Sequence, residues 1–419
     1  MQHTRLIAFS ALALLSSATL STASAAATGK LEVFSWWTAG GESEGLDALL
    51  KIMKVQNPNL EVVNATVAGG GGTNAQAVLR TRVLGGNPPD SFQVHGGADL
   101  LEQWVKAGKL SDVSAIWTKN GFDKVIPKGI QAQFMLDGKY YGVPVNIHRN
   151  NNLYYNKALL AKAGVRPPTT LAQFWVAAEK LKKAGITPLA LGSQGNWEIT
   201  MMLENMLIEA GGATFYNDLT AGKIAWTDPR VIKALTNLKR MLSYVNKDHA
   251  ALSWDQASGL VLNGKAAFNI MGDWAKGYFL SNKWTADKEF SSIPAPGTKG
   301  TFISTNDAFG EPNGAPNQGA VNEWLKVLGS KEGQEQFNIK KGSICARTDC
   351  DPKLFDPIGQ RTMKDFNSNK IVPTIAHGSA MKGSFVSALN DEMGIFAQNG
   401  DVNQTASNLE KQAKDLGIR

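Results

Sequence analysis

The sequence predicts an α/β fold in a chain too long for one ordinary domain. Three observations carry that prediction. Over 31–94, short apolar runs alternate with amphipathic stretches in the order strand, helix, strand, helix, strand, which implies parallel pairing. The chain has 419 residues, 43% hydrophobic and 19% charged, which suits two domains or one large α/β unit. Its 42 glycines fit many short loops between regular elements.

The first strand is 31–34. It stops at Ser35, and Trp36 and Trp37 follow at once, then small and polar residues and the acids Glu42 and Glu44. An apolar face followed by hydrogen-bonding groups at the carboxyl end of a strand is where open α/β sheets bind small ligands. A helix over 45–56 carries Leu46, Leu49, Leu50 and Met53 at helical spacing. A strand over 60–67, four glycines at 69–72, a helix over 74–84 and a strand over 90–94 complete the opening unit. Further on, the pattern predicts helices over 100–107, 157–163 and 170–183 (Thr170 as N-cap), 199–210 and 228–244 (Pro229 in its first turn). Strands are expected at 153–156, 189–192 and 266–271, the last between helices 254–263 and 274–280. A Pro/Gly break at 294–300 precedes the remaining helices, 323–329, 332–337, 359–369, 389–399 and 403–416.

Residues 1–25 read as a secretory signal peptide. Arg5 supplies the positive start, 6–20 is apolar with small serines and threonines, and Ala23-Ser24-Ala25 is a cleavage site. No other stretch reaches about 18 apolar residues, so a soluble, exported protein of the bacterial periplasm is expected. The net charge is +7, but the basic residues are scattered singly or in pairs, whereas nucleic-acid binders cluster them. A nucleic-acid partner is therefore set aside. Cys345 and Cys350 read as one local disulfide in an oxidising compartment. A two-cysteine metal site is the rival reading, and no histidine lies near to complete it.

Catalytic motifs are absent: there is no G-x-S-x-G elbow, no H-E-x-x-H and no cysteine beside a histidine. The glycine run lacks the Lys-Ser/Thr of a phosphate loop, which leaves a ligand-touching backbone or a plain turn. What stands out is aromatic and amide equipment near turns: Trp36, Trp37, Trp197, Trp254 and Trp274. Sugars suit it, because a pyranose has C–H patches for an aromatic face and hydroxyls for planar donors and acceptors. Trp104, Trp175 and Trp324 sit at helical spacing among apolar neighbours and are expected in the core. Gln93 and His95 close a strand, His377 lies in a turn, and Asp307 and Lys341 read equally as an exposed ion pair or as ligand contacts.

The mature chain resembles the extracellular solute-binding proteins of sugar ABC transporters, the group that includes maltose-binding protein, and within it the glucose/mannose-binding branch. The matching stretches are FSWW at 34–37, NATVAGGGGTNAQAV at 64–78, GGNPPDSFQVHGG at 85–97, GVPVNIHRNN at 142–151, LSWDQA at 252–257, GKAAFNIMGDWAKGY at 264–278, KKGSICAR at 340–347 and AHGS at 376–379. The resemblance implies two α/β lobes of the type II periplasmic binding fold, with a ligand cleft between them. The lobes would be 26–143 with 304–345, and 144–303 with 346–419. Three hinge crossings would fall near 144, 301–305 and 342–350, with the disulfide beside the last. Trp36 would stack on the sugar and Trp37 support it. Glu42 (or Glu44), Gln93, His95, Asp307, Lys341 and His377 would bind hydroxyls, and Trp254 and Trp274 would close the far face. The implied function is a non-enzymatic, monomeric receptor without metal or cofactor that delivers a monosaccharide, glucose foremost, to membrane permease subunits. An oligosaccharide receptor and a secreted carbohydrate hydrolase are the alternatives.

Overall fold

The computed structural model describes residues 27–68 and 72–419. The expected leader at 1–25 and positions 69–71 of the glycine run lie outside the described residues. Among the described residues no helix is long and apolar enough to cross a membrane.

The opening unit folds as the pattern implies. Strands Leu60–Asn64, Gly29–Phe34 and Ser91–His95 lie side by side in that order, all parallel. Asp307–Gly310 and then Val143–Pro144 extend the sheet to five strands, both antiparallel to their neighbours. Helix Gly41–Gln56 buries Leu46, Leu49 and Met53, the i, i+3, i+7 stripe of a helix covering a sheet. It begins at Gly41, four residues before the expected start. A Cβ at Gly41 would overlap the carbonyl of Lys340 and crowd Gly277. Only glycine lets this first turn form against the end of helix Lys331–Lys341, and the weak helix propensity of glycine hid it from the sequence pattern.

A second lobe is built on a four-stranded sheet in the order Phe290–Pro294, Asn152–Asn156, Ala266–Met271, Thr187–Ala190. Its core gathers Phe174, Leu203, Leu235, Phe268 and Leu389, separate from the core of Val33, Phe92, Trp324 and Phe337 in the first lobe. Thr170 caps helix Leu171–Lys183 as expected, and Asn156 and Asp228 cap Lys157–Ala163 and Pro229–Leu242; each such cap is worth about 1 kcal/mol. The helix expected over 199–210 starts at Trp197 and breaks at Gly212 (φ 73°), beyond which a second helical segment runs on to Thr220. Its first three turns are buried all round, so no polar face marks where it starts.

A three-stranded sheet joins the lobes: Thr301–Thr305 pairs in parallel with Lys370–Pro373 and antiparallel with His148–Arg149. The chain therefore passes out of the five-stranded sheet between Pro144 and His148 and returns at Asn306. A third passage follows Lys331–Lys341, where Ile344 bridges to Ile147. The Cys345–Cys350 disulfide lies just beyond it, packed with Phe355. Polar side chains stand in for backbone here. Asn151 donates to Thr298 Oγ1 and Thr301 O, each at 2.9 Å, and accepts from Ile303 N at 3.1 Å.

The tightest tie across the passages is His148. Its Nδ1 meets Asp273, at the end of the second lobe's strand Ala266–Met271, and its Nε2 lies 3.0 Å from Asp307 Oδ2 in the first lobe's sheet. All three side chains are buried. Burial pushes the imidazole pKa down, but the two carboxylates outweigh it and hold the pKa above 6.5. A raised folded-state pKa gives stability that is complete below the unfolded value, about 6.5, and is lost as pH rises through the folded value. Wild-type thermal stability should therefore decline as pH rises above about 6.5. His148→Gln should be less stable throughout, by about 3–5 kcal/mol at pH 6, with a shallower alkaline decline, since buried acids with raised pKa such as Glu204 still lose stability as pH rises. Parallel slopes for the two proteins in pH-resolved melts would disprove a charged bridge.

Candidate functional site

A cavity of about 270 Å³ lies between the lobes. Trp36 and Trp37 reach it from the end of strand Gly29–Phe34, and His95 from the end of the neighbouring strand. Asp307 enters at the start of its strand, and Glu42 and Lys341 come from the facing ends of two helices. Trp254 and Trp274, each the first residue of a helix, and His377 close the opposite side. Nine of the ten residues expected at a sugar site thus line one cavity.

The exception is Gln93. Its Oε1 accepts the Trp36 backbone N–H at 3.2 Å and its Nε2 donates to Asp307 Oδ1 at 2.9 Å. It stands behind the wall and sets the positions of two lining residues. Of the two acids, Glu42 is buried and lines the cavity, and Glu44 is exposed on the outer face of the same helix. Glu42 Oε1 lies 2.5 Å from Lys341 Nζ. Burial raises the Glu42 pKa, and Lys341 only partly opposes that.

Three of the indoles lie over glycines. A Cβ at Gly72 would come within 2.9 Å of the Trp36 ring, one at Gly195 within 2.7 Å of Trp197, and one at Gly272 would overlap Trp274. Any side chain there would tilt the ring out of place. Trp37 differs: it is 1% exposed and packs on Phe309 and Phe337, with ring centroids 5.5 and 4.7 Å away. Trp36 thus presents a face to the cavity and Trp37 braces the wall. Of the tryptophans expected in the core, Trp104 and Trp324 are buried, while Trp175 is half-buried and stacks on Tyr244 at 5.8 Å.

The charges are settled within the wall. Burial pushes the Asp307 pKa up, but the hydrogen bond and charge of His148, then Lys341 and His95, hold it well below the usual carboxylate range. Asn146 Nδ2 also donates to Asp307 at 2.9 Å. Burial pushes His95 down, against the pull of Asp307 and Asp99, and pushes His377 down further. Both rings, 5.3 Å apart, are therefore neutral near pH 7. A neutral imidazole offers one donor and one acceptor, which matches a hydroxyl. The buried His377 Nε2 has no hydrogen-bond partner among the described residues. The same residues hold no cluster of His, Cys, Asp and Glu fit for a metal ion.

Several lining residues escaped the sequence reading: His148, Thr305, Gln194, Ser253 and Asp255. His148 had a signal, since the polar run 148–152 leads directly into an apolar strand. Trp197 and Trp274 share a Gly-x-Trp spacing, Gly195 to Trp197 and Gly272 to Trp274, that also marks glycine-backed rings. Gln194 and Asp255 carry no such mark.

A family model for bacterial extracellular solute-binding proteins matches residues 36–335. An ABC transporter extracellular-binding protein of Pyrococcus horikoshii is 40% identical over 392 residues, covering 92% of this chain and 88% of its own. A protein of Rhizobium meliloti named a probable sugar-binding periplasmic protein is 34% identical, covering 89% and 90%. Among solved structures, a bacterial solute receptor described as exclusively preferring β-D-galactopyranose superposes with a TM-score of 0.83 at 18% identity, covering 94% of this chain and all of that one. The chain belongs to the bacterial extracellular solute-binding proteins, in their sugar-binding ABC transporter group.

Proposed function

We propose that this cavity binds one neutral monosaccharide, glucose foremost, and that the protein carries it through the periplasm to the permease subunits of an ABC transporter as a monomer. The lobes that would hinge over the sugar are 26–143 with 304–345, and 144–303 with 346–419. The carrying observation is a cavity of about 270 Å³ walled by indoles on opposite sides. That is below the roughly 300–1,000 Å³ of sites for drug-sized ligands and suits one sugar ring between Trp36 and the Trp254/Trp274 wall. The sugar hydroxyls would meet Glu42, His95, Asp307, Lys341 and His377. The glucose preference rests on the resemblance of the motifs.

A hydrolase reading is disfavoured by how the acids are used. Glycoside cleavage needs one carboxyl free to donate a proton and another free to attack or to activate water. Asp307 is occupied by Gln93, Asn146 and His148, and Glu42 by Lys341, which leaves Asp255 as the single lining carboxyl without a basic partner among the described residues, where the reaction needs two. Against an oligosaccharide, the cavity has room for little beyond one ring.

Titration calorimetry with glucose, galactose, mannose, xylose and maltose is the direct test. A monosaccharide should bind at least tenfold more tightly than maltose, with glucose first, and leave solution unhydrolysed. Silence with all five sugars would sink the reading, and preference for maltose would favour the oligosaccharide alternative. Trp36→Ala should weaken binding at least tenfold, about 1.4 kcal/mol, while the apo melting temperature moves by only a few degrees. A collapse in apo stability would make Trp36 a core residue.

A further inference from the structure

Glu204 lies outside the cavity, on the long helix that starts at Trp197, and is 1% exposed. Its carboxylate accepts from the backbone N–H of Ile375, from Ala376 N at 3.2 Å and from Thr374 Oγ1 at 2.9 Å. Tyr216 OH donates to it at 2.8 Å and lies 3.0 Å from Pro373 O. Every one of these partners except Tyr216 belongs to the segment that leads into His377.

The arrangement depends on a broken helix. In a straight helix Glu204 and Tyr216 would stand about 18 Å apart along the axis, at roughly 1.5 Å per residue. Gly212 adopts φ 73° and ψ −178°, which a residue with a Cβ strongly resists. The break turns the chain so that Tyr216 comes back onto Glu204. The far side of the same turn is held by the first lobe: Ala98 N donates to Ser379 O at 3.1 Å and Asp99 N to Gly378 O at 2.9 Å. His377 therefore sits on a strap fastened at one end to Glu204 in the second lobe and at the other to the strand end that carries His95.

We propose that Glu204, assisted by Tyr216, is a positioning residue for sugar binding: it fixes the 374–376 turn and so aims the His377 ring into the cavity. The inference rests on the monosaccharide-receptor reading above. The clamp is strongest with the carboxylate ionised, because hydrogen bonds to a charged acceptor are about twice as strong as neutral ones. Burial raises the Glu204 pKa to about 7 against the pull of its donors, so the clamp titrates within a usable range. Tyr216 is the titratable group that faces Glu204, and burial keeps it protonated. His377 itself faces His95, His148, Asp307 and Lys341, all of them present in any Glu204 variant.

Two measurements test this. Sugar affinity of the wild type, by calorimetry from pH 5.5 to 8.5, should rise several-fold through about pH 7, and Glu204→Gln should bind more weakly with that rise absent. In the sugar-free protein, amide hydrogen exchange at Ile375 and Ala376 should quicken at least tenfold in Glu204→Gln, and the His377 imidazole resonances should shift. Tyr216→Phe, which keeps the carboxylate, should show the same changes in smaller measure and serves if Glu204→Gln folds poorly. An unchanged pH slope, or unchanged exchange at both amides, overturns the proposal. If the wild type binds no sugar, the receptor reading fails, and the sugar-free exchange and His377 signals still decide the clamp.

Discussion

A buried imidazole bridging two buried carboxylates, which hold its pKa above the ordinary value, organises this molecule. Asp307 begins a strand of the first lobe, Asp273 ends the strand region of the second, and His148 rides the passage between them. Taking three charged groups out of water is costly, and their attraction offsets the cost only when the geometry is good and the remaining hydrogen bonds are made. Here they are: Asp307 receives Gln93 and Asn146, and Asp273 receives the Arg149 backbone N–H at 3.0 Å. Such a bridge specifies position more than it adds net stability. It fixes where the floor of the cavity lies relative to both sheets, and the placements of Trp36, His95 and Lys341 follow from that floor.

The walls follow a second rule, close approach. Trp36, Trp197 and Trp274 each rest on a glycine, so backbone serves as their backing surface. A ring supported this way is held flat without side-chain freedom to lose. Gly41 applies the same rule to the ion pair: with no Cβ in the way, the first turn of its helix reaches the end of Lys331–Lys341, and Glu42 meets Lys341.

These rules explain what could be read from the sequence. The opening strands and helix were legible because their apolar periodicity matches a sheet covered on one face. Trp36 was legible because it follows a strand end at once. Glycine placements were harder: the run at 69–72 reads as a turn, yet Gly72 is what the Trp36 ring lies against. Gln93 looked like a ligand contact because it shares a strand face with His95, two residues on, but it lies one step back from the strand end and its amide is taken up by the Trp36 N–H and by Asp307. The helix from Trp197 breaks close to its expected end, and the consequence of Gly212 only exists once Tyr216 and Glu204 meet in three dimensions. Gln194 and Asp255 are ordinary polar residues until the second lobe turns them toward the first.

The electrostatics of the cavity argue for a neutral ligand. Glu42 is matched with Lys341 and Asp307 with His148, the cavity's two other imidazoles are neutral, and Asp255 adds a carboxylate with no basic partner among the described residues, which further disfavours an anion. A ligand carrying a carboxylate or phosphate would compete with Glu42 for Lys341, and an unpaired buried Glu42 would then protonate or be destabilised. Among the described residues no arginine lines the cavity to offer the bidentate grip that such anions favour. A neutral polyol faces neither penalty: each hydroxyl can add a hydrogen bond to a pair that stays intact. Ligand capture then costs little electrostatic rearrangement, and discrimination falls to hydroxyl geometry, where an unpaired buried group costs about 1–3 kcal/mol. In the proposed receptor, aiming His377 correctly would matter as much as stacking on Trp36, because a ring would supply affinity for any pyranose while a fixed donor and acceptor would tell one from another.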